Sequence, residues 1–578
     1  MASGVQGAAH KRRHAPASLL PEILRAFFRR ALTPLRVMWR RNWFYRRPLK
    51  GKLPDRIAFY PYDGLPRRLE DADALLRGRF RFVGETVDTN GKCIFDAPPP
   101  SRIWSDRLHE FAWLPALSSA GGDAARDLAR SLTSQWIARN ARYSEPVMAP
   151  EHTARRLAHI FAHSRFVLSN SDMLWRSRLF VSLREQARLL ARVGEEAPNG
   201  LPRLEAAAVH ALSGACLEDN PRRLESGLSR LEEELSRQIL PDGGHVSRSP
   251  ETLAHAYRLI VMVMDALTAI ERPVPQAIRS AHDRMAPMLR FFRHGDGALA
   301  LFNGGTESDA RMIAGLLARD EVRGQPFAHA PHSGYQRITT ARTVVVMDCG
   351  EMPPGVHANS AHSGCLSFEL SHAQQRIVVN CGSAGVRHPR WDTALRATAA
   401  HSTVTLADTS VAGVIAKGFV RDMIGPRLIG EPYRVETSRR ETPHSAIVEA
   451  RHDGYVHDFG IAHERILSLS PNGFSLNGSD RLVPKGTTRR PRDGVSFAVR
   501  FHIHPDIRVS PSQGGGVLLK LPNGEGWRFR SSGGEVTIEE SVYLGAEQVR
   551  KCEQLVISGA VKNEAVEIGW IFEQINIG

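Results

Sequence analysis

Cysteine is scarce in this chain. Six are scattered over 578 residues (Cys93, Cys216, Cys349, Cys365, Cys381 and Cys552), and no spacing matches a zinc ribbon or a disulfide framework. Cys365 and Cys381 fall inside apolar runs and read as small core residues, a usage that leans towards a reducing compartment. Long apolar stretches are missing too. None approaches the roughly 20 residues that cross a bilayer, and no apolar core of roughly 7–15 residues follows the charged start, so no standard export signal is visible. Acidic residues run short in one place. Residues 1–50 hold twelve Lys or Arg against the single acid Glu22, which supplies +11 of the net +15 (76 basic minus 61 acidic) and leaves the rest of the chain at +4. A near-neutral body offers no basic groove to continue that tail, and no recognised motif accompanies it, which argues against specific nucleic-acid binding.

What is present is a long, ordinary globular composition, 42% hydrophobic and 24% charged, too large for one core and so divided into two or more domains. The basic start is itself patterned. A helix is expected over residues 19–45, carrying Leu20, Ile23, Phe27, Phe28, Leu32, Leu35 and Trp39 among arginines, with Pro34 as an interruption. Such a segment suits an anionic membrane surface, or else a docked or solvated arm. Pro98-Pro99-Pro100 closes this lead-in, giving a first unit over residues 1–100. Apolar side chains then recur every three or four residues, as in Leu224, Leu228, Leu231, Leu235 and Ile239, with short polar breaks between stripes, so residues 101–324 read as antiparallel helix pairs. From 325 to 578 the texture changes to short β-branched runs such as Thr343–Asp348, separated by Gly, Pro, Asn and Ser, which reads as an antiparallel sandwich. Helices first and strands afterwards make an α+β multidomain chain, not a doubly wound one.

The most distinctive stretch is Gly355 to Gly385, in which imidazoles on a turn precede two strands, together with the Arg396–Thr403 run RATAAHST. Its Ser367-Phe368-Glu369-Leu370 strand resembles the signature of the heparinase II/III-like polysaccharide lyases, in which a His-Gly-His-Ala-Asp cluster precedes the same strand. His362 matches the second histidine of that cluster, Ser360 stands at the first, and Gly364 replaces the aspartate. The likeness extends over roughly residues 104–560, through the Arg107–Leu114 run, the Gln238–Pro250 segment and Ser333-Gly334-Tyr335. It implies an incomplete (α/α) toroid followed by an antiparallel β-sandwich, with an acidic, uronate-containing polysaccharide bound in the cleft between them. It also implies a periplasmic setting, whereas the N-terminus by itself points to the cytoplasm or a membrane-peripheral place.

β-Elimination on a uronate needs the carboxylate neutralised before C5 gives up its proton, then a base at C5 and an acid at the leaving oxygen. The resemblance places Asn199 opposite the carboxylate, with Gly200 where a histidine usually follows. His245 and Arg248 sit on a loop in which Ser247 replaces the usual glutamate, and a cation there suits a polyanion. The catalytic tyrosine position is taken by Thr252, which leaves Tyr257 and Tyr335 as substitutes, each also readable as a packed residue; His357 is an acid–base candidate in place of the histidine lost at Ser360. His362, Asn380 and His401 match a zinc set of two histidines and an aspartate, with an amide in the carboxylate's place; a hydrogen-bonded polar cluster is the other reading. His502 and His504 share a strand face without a third ligand. Two functions follow: a lyase acting on an acidic polysaccharide, or a glycan-binding or envelope-biosynthesis protein that keeps the architecture and has lost the reaction.

Overall fold

The computed structural model describes residues 19–65, 69–320, 324, 326–384, 388–442, 445–486, 491–512, 516–546 and 548–575. The arm begins with α1 (Leu20–Ala31) and α2 (Thr33–Arg41). The expected interruption falls at Leu32, and Pro34 sits in the first turn of α2, where a missing N–H costs nothing. Residues 1–18 of the basic start lie outside the described residues.

The helical half is a ring of paired helices: α3 (Arg102–His109), α4 (Leu114–Ala120), α5 (Gly122–Arg139), α6 (Pro150–Leu168), α7 (Met173–Val193), α8 (Leu201–Cys216), α9 (Pro221–Gln238), α10 (Pro250–Ala269) and α11 (Gln276–Phe291). Proline opens α6, α9 and α10 and stands second in α8, so each helix starts where φ is already fixed. Asn220 and Ser249 cap α9 and α10 by accepting the Arg222 and Thr252 amides. The stripes read from the sequence face inward: Leu231, Leu235, Leu204, Leu212 and Ile260 all belong to one buried cluster.

Two antiparallel sheets follow. The inner one is built from β1 (Tyr335–Thr340), β2 (Thr343–Asp348), β3 (Phe368–His372), β4 (Gln375–Val379), β5 (Val404–Leu406) and β6 (Val495–Ile503), extended by Arg550–Val561 and Val536–Tyr543. The outer sheet runs from Val435–Thr442 through Ser475–Pro484 and Val566–Ile575 to Arg508–Pro511. β2 shows why TVVVMD carries no polar alternation. Val344 and Val346 join the core of the helical ring, while Val345 and Met347 join the core between the sheets. A strand covered on both faces must be apolar on both. The order of elements is the α+β one expected, a helical ring against a β-sandwich.

The seam between ring and sandwich and an open cavity beside it

β3 delivers the signature strand. Phe368 points into the sandwich and stacks on Trp570 at 5.4 Å, and its neighbour Glu369 points to the opposite face. There the Glu369 carboxylate accepts the Asn380 amide N–H at 3.0 Å and lies 3.0 Å from His294 Nε2. Asn380 is fully engaged: its Oδ1 accepts the Ser402 amide at 3.0 Å, and its Nδ2 donates to the Leu301 carbonyl at 3.3 Å. His401 donates from Nδ1 to the Ala397 carbonyl, and its Nε2 lies 3.1 Å from His362 Nδ1, so the network assigns the proton between them to His362. Burial lowers the pKa of both rings, His401 to about 4, so each stays neutral. Gly364 makes this pairing possible, because a Cβ there would stand 2.7 Å from His401 Cδ2. The donor set does not fit a closed zinc centre. The carboxylate is replaced by an amide whose oxygen already holds a backbone N–H, and no group of three His, Cys, Asp or Glu among the described residues is placed to hold an ion. The polar-cluster reading describes His362, Asn380 and His401.

Arg248 is placed differently from its expected role on a substrate carboxylate. It is buried and adopts φ +60. Its guanidinium donates to the carbonyls of Ser333 (2.7 Å), Glu351 (2.9 Å) and Gly334 (3.2 Å) and pairs with Asp348. Burial opposes its charge, but Asp348 and Tyr335 outweigh that and hold the proton more tightly than usual. Tyr335 lies 4.9 Å below the guanidinium and gives its O–H to the Arg248 carbonyl at 2.6 Å. Both residues rivet the ring to the sandwich: four Arg248 N–H groups and the Tyr335 hydroxyl proton are engaged inside the fold. Tyr257, in the middle of α10, is fully buried and meets His282 Nε2 at 2.9 Å. It belongs to the core because its apolar stripe turns inward, and it takes no part in a cleft.

Three expected residues do converge. His245 is buried. Its Nδ1 accepts the Ser247 amide at 3.0 Å, and its Nε2 donates to Gln238 Oε1 at 3.0 Å. Gln238 in turn donates to the Gly200 carbonyl at 3.0 Å, which fixes the turn that presents Asn199 to solvent. Burial, helped by His357, pushes the His245 pKa down to about 3. His357 is half-buried on the short Gly355–Asn359 turn, 5.8 Å from the His245 ring, and burial lowers its pKa as well, with Arg427 adding to the shift. Gly200 has φ +91, and a Cβ there would touch the His357 ring at 3.5 Å. His357 therefore lines the space beside a position where the family signature has a histidine. Gly200, next to the exposed Asn199, thus meets His357 at the seam, with His245 behind the His357 ring.

Next to this seam opens a cavity of about 680 Å³. Arg107, Arg155, His159, His255 and Arg258 line it from the ring, and His388 and Gln548 from the sandwich half. Arg258 is buried, donates one N–H to the Asp63 carbonyl at 3.2 Å, and leaves Nε without a partner. Arg155 is held by Glu110 and Glu205, both at 2.8 Å, and Arg107 by Glu110 at 2.9 Å. Burial and three neighbouring guanidiniums push His255 down to about 3, so it enters the cavity as a neutral imidazole. Sequence reasoning missed these residues. Their signal was present: Arg155 and His159 are four apart and His255 and Arg258 three apart, so each pair shares one face of its helix.

Residues 322–571 match the family model described as heparinase II/III-like, C-terminal. FtsZ-localized protein C of Caulobacter vibrioides is 32% identical over 548 residues, covering 92% of this chain and 93% of its own. Among solved structures, Heparinase III aligns with a TM-score of 0.65 at 13% identity, over 91% of this chain and 87% of that one. A mutant of the heparan sulfate lyase HepC from Pedobacter heparinus aligns with a TM-score of 0.60 at 18% identity, over 92% and 87%. With the intact Ser367–Leu370 strand and a helical ring set against two antiparallel sheets, the chain belongs to the heparinase II/III-like family.

Proposed function

We propose that this protein is a glycan-binding member of the family: it holds an acidic, uronate-bearing saccharide in the cavity of the helical ring without cleaving it. One observation carries the reading. The Arg248 guanidinium and the Tyr257 and Tyr335 hydroxyls are hydrogen-bonded into the scaffold, whereas the neighbouring cavity gathers Arg107, Arg155, His159, His255 and Arg258 alongside Asp63, Glu70, Asp71 and Glu205. Arginine suits carboxylate and sulfate because its planar fork donates two N–H groups at once. Elimination also needs a proton donor at the leaving oxygen, and the Tyr257 and Tyr335 hydroxyls are both spent inside the fold.

The arm adds a place of work. Leu20, Leu24, Phe27, Phe28, Leu32, Leu35, Met38 and Trp39 are exposed at three- and four-residue intervals along α1 and α2, among Arg25, Arg29, Arg30 and Arg41. Continuous exposed apolar surface beside arginine fits the interface of an anionic membrane. No helix among the described residues is long and apolar enough to cross one. The name of the Caulobacter relative puts that protein with FtsZ, and a membrane-peripheral site at the division machinery is part of this proposal.

A lyase is the second reading, favoured by the position of His357: a neutral imidazole beside Gly200 and the exposed Asn199 turn. Titrating the full chain with heparan sulfate and other uronate polymers, while following the absorbance of 4,5-unsaturated product, separates the two. Saturable binding with no product is expected. Steady accumulation of product would establish the lyase instead.

A further inference from the structure

A slot of about 360 Å³ lies between the arm and helices α5 and α7, and it shares no wall residue with the saccharide cavity. Its volume is in the ordinary range of small-molecule sites. An arginine ladder builds it. Arg184, Arg188 and Arg192 recur every four residues on one face of α7, and they donate to the carbonyls of Gly51 at 2.9 Å, Lys50 at 2.6 Å and Tyr45 at 3.3 Å. Residues 45–51 are thereby pinned along the helix, and Tyr45 and Leu49 become one wall; α5 supplies Trp136 and Ile137, and α7 supplies Val181 and Leu189. The slot is long. Its lining on α7 runs from Ser177 to Leu189, twelve residues at 1.5 Å each, or about 18 Å. It is also graded in depth. Ser177 and Arg178 are exposed, whereas Leu49, Trp136 and Leu189 are buried, so it runs inward from the start of α7 towards the packed end of the arm. The polar members of its wall are satisfied within it: Gln186 donates to Ser182 at 3.0 Å, and Asn140 to the Trp136 carbonyl at 2.9 Å. Arg40 is buried and matched by Glu145 at 3.3 Å and by Glu196, and Glu185 lies 3.9 Å from the Arg184 guanidinium. Bare apolar side chains border both walls. Met173 and Leu174 are exposed one turn before Ser177 and Arg178 on the same face of α7, and Trp43 and Phe44 are exposed immediately before Tyr45.

We propose that this slot binds one acyl chain of an anionic phospholipid, with the phosphate at Arg178 and the tail lying along Val181 towards Leu49 and Leu189. The choice of a membrane lipid rests on the docking of the arm proposed above; the chemistry of a single apolar chain with an anionic head rests on the slot itself. A long channel with apolar walls suits a flexible chain better than a compact ring, and removing that chain from water supplies the affinity. An exposed guanidinium at the shallow end takes a phosphate through paired N–H donors. Against a bilayer, Met173, Leu174, Trp43 and Phe44 lose their contact with water and bring the slot to the depth at which acyl chains begin. An occupied slot ties the arm to α7 through the lipid as well as through the arginine ladder.

The experiment titrates the full chain with lysophosphatidylglycerol below its micelle concentration, and in parallel with lysophosphatidylcholine, a free fatty acid of the same chain length, and glycerophosphoglycerol as the head alone. Saturable binding of lysophosphatidylglycerol is expected, tighter than that of the other two chains, with none of the head alone. Val181→Trp, which fills the slot from a half-buried position, should weaken it by about tenfold or more. Arg178→Glu, at an exposed position, should weaken lysophosphatidylglycerol about tenfold and leave lysophosphatidylcholine as before. Phe27→Ser combined with Phe28→Ser, on the bare face of α1, should change neither. No binding by the wild type overturns the proposal, as does unchanged affinity in a folded Val181→Trp or in Arg178→Glu. A fatty acid that binds as tightly overturns the phospholipid assignment. Loss of binding in the Phe27 and Phe28 double variant also overturns it, because the chain would then lie on the outside of the arm. Vesicles of phosphatidylglycerol are read separately: if they fail to bind while lysophosphatidylglycerol binds and responds to both slot variants, the membrane docking of the arm falls and the slot stands.

Discussion

The seam and the cavity use the same residue types to opposite ends. At the seam, Arg248 gives its N–H groups to three carbonyls and a carboxylate, Tyr335 bonds back to the Arg248 carbonyl, and His362 and His401 bond to each other. In the cavity, the partly exposed Arg107 and His255 side chains line the wall beside the buried Arg258. A buried polar group with every bond made is architecture, because removing a partner leaves a desolvated charge. One that reaches an open cavity is available to a ligand. The residue type does not distinguish the two cases; exposure to the cavity does.

The sharpest test of this contrast is Arg248→Met. It should cost about 3–5 kcal/mol by urea unfolding, since it strands the Asp348 carboxylate inside the protein. A loss below about 1 kcal/mol would move Arg248 from scaffold to site. Gly364→Asp, which restores the family residue, should destabilise by about 1–3 kcal/mol through collision with His401. Isothermal titration of this variant with zinc should show no new binding; a tight zinc site would mean the polar cluster is a centre one carboxylate short. Arg258→Met keeps the packed stem and removes a guanidinium that lines the cavity wall. It should weaken binding of an acidic saccharide about tenfold, equivalent to about 1.4 kcal/mol, with far less effect on unfolding than Arg248→Met.

Acid probes both regions together. His245 and His255 titrate near 3 in the fold and His401 near 4, against the ordinary 6.5. Below 6.5 the unfolded chain therefore binds protons that the folded chain refuses. Stability is complete above about pH 6.5 and falls as the pH drops towards 4, by up to about 1.4 kcal/mol per pH unit for each such histidine. Urea midpoints across that range check the sign; a midpoint that does not fall would show these imidazoles to be solvated. The smallest effect is expected at Asn199→Ala, an exposed turn residue, whose stability should stay within about 0.5 kcal/mol of the parent. If it nevertheless abolished saccharide binding, the seam and not the cavity would be the ligand's main contact.

Much of the fold could be read directly, because it rests on local periodicity. The stripe from Leu224 to Ile239 and the unbroken apolar Thr343–Asp348 run each announce their element. The candidate site was legible only in part. His357 stands against Gly200, beside Asn199 and His245, whereas Tyr257 and Arg248 carry the right chemistry in the wrong surroundings. Spacing along the chain gives the face a side chain occupies but not what stands opposite, and Asp348 lies 100 residues from Arg248.

By itself the sequence determined the α-then-β order, the amphipathic basic arm and the family strand, since each is set by neighbours three or four residues away. Only the tertiary structure decided which arginines and histidines are spent and which are open. Satisfying a buried charge takes partners from distant segments, and chain folding alone brings Glu22 to Arg427, or Arg107, Arg155 and Arg258 around one imidazole.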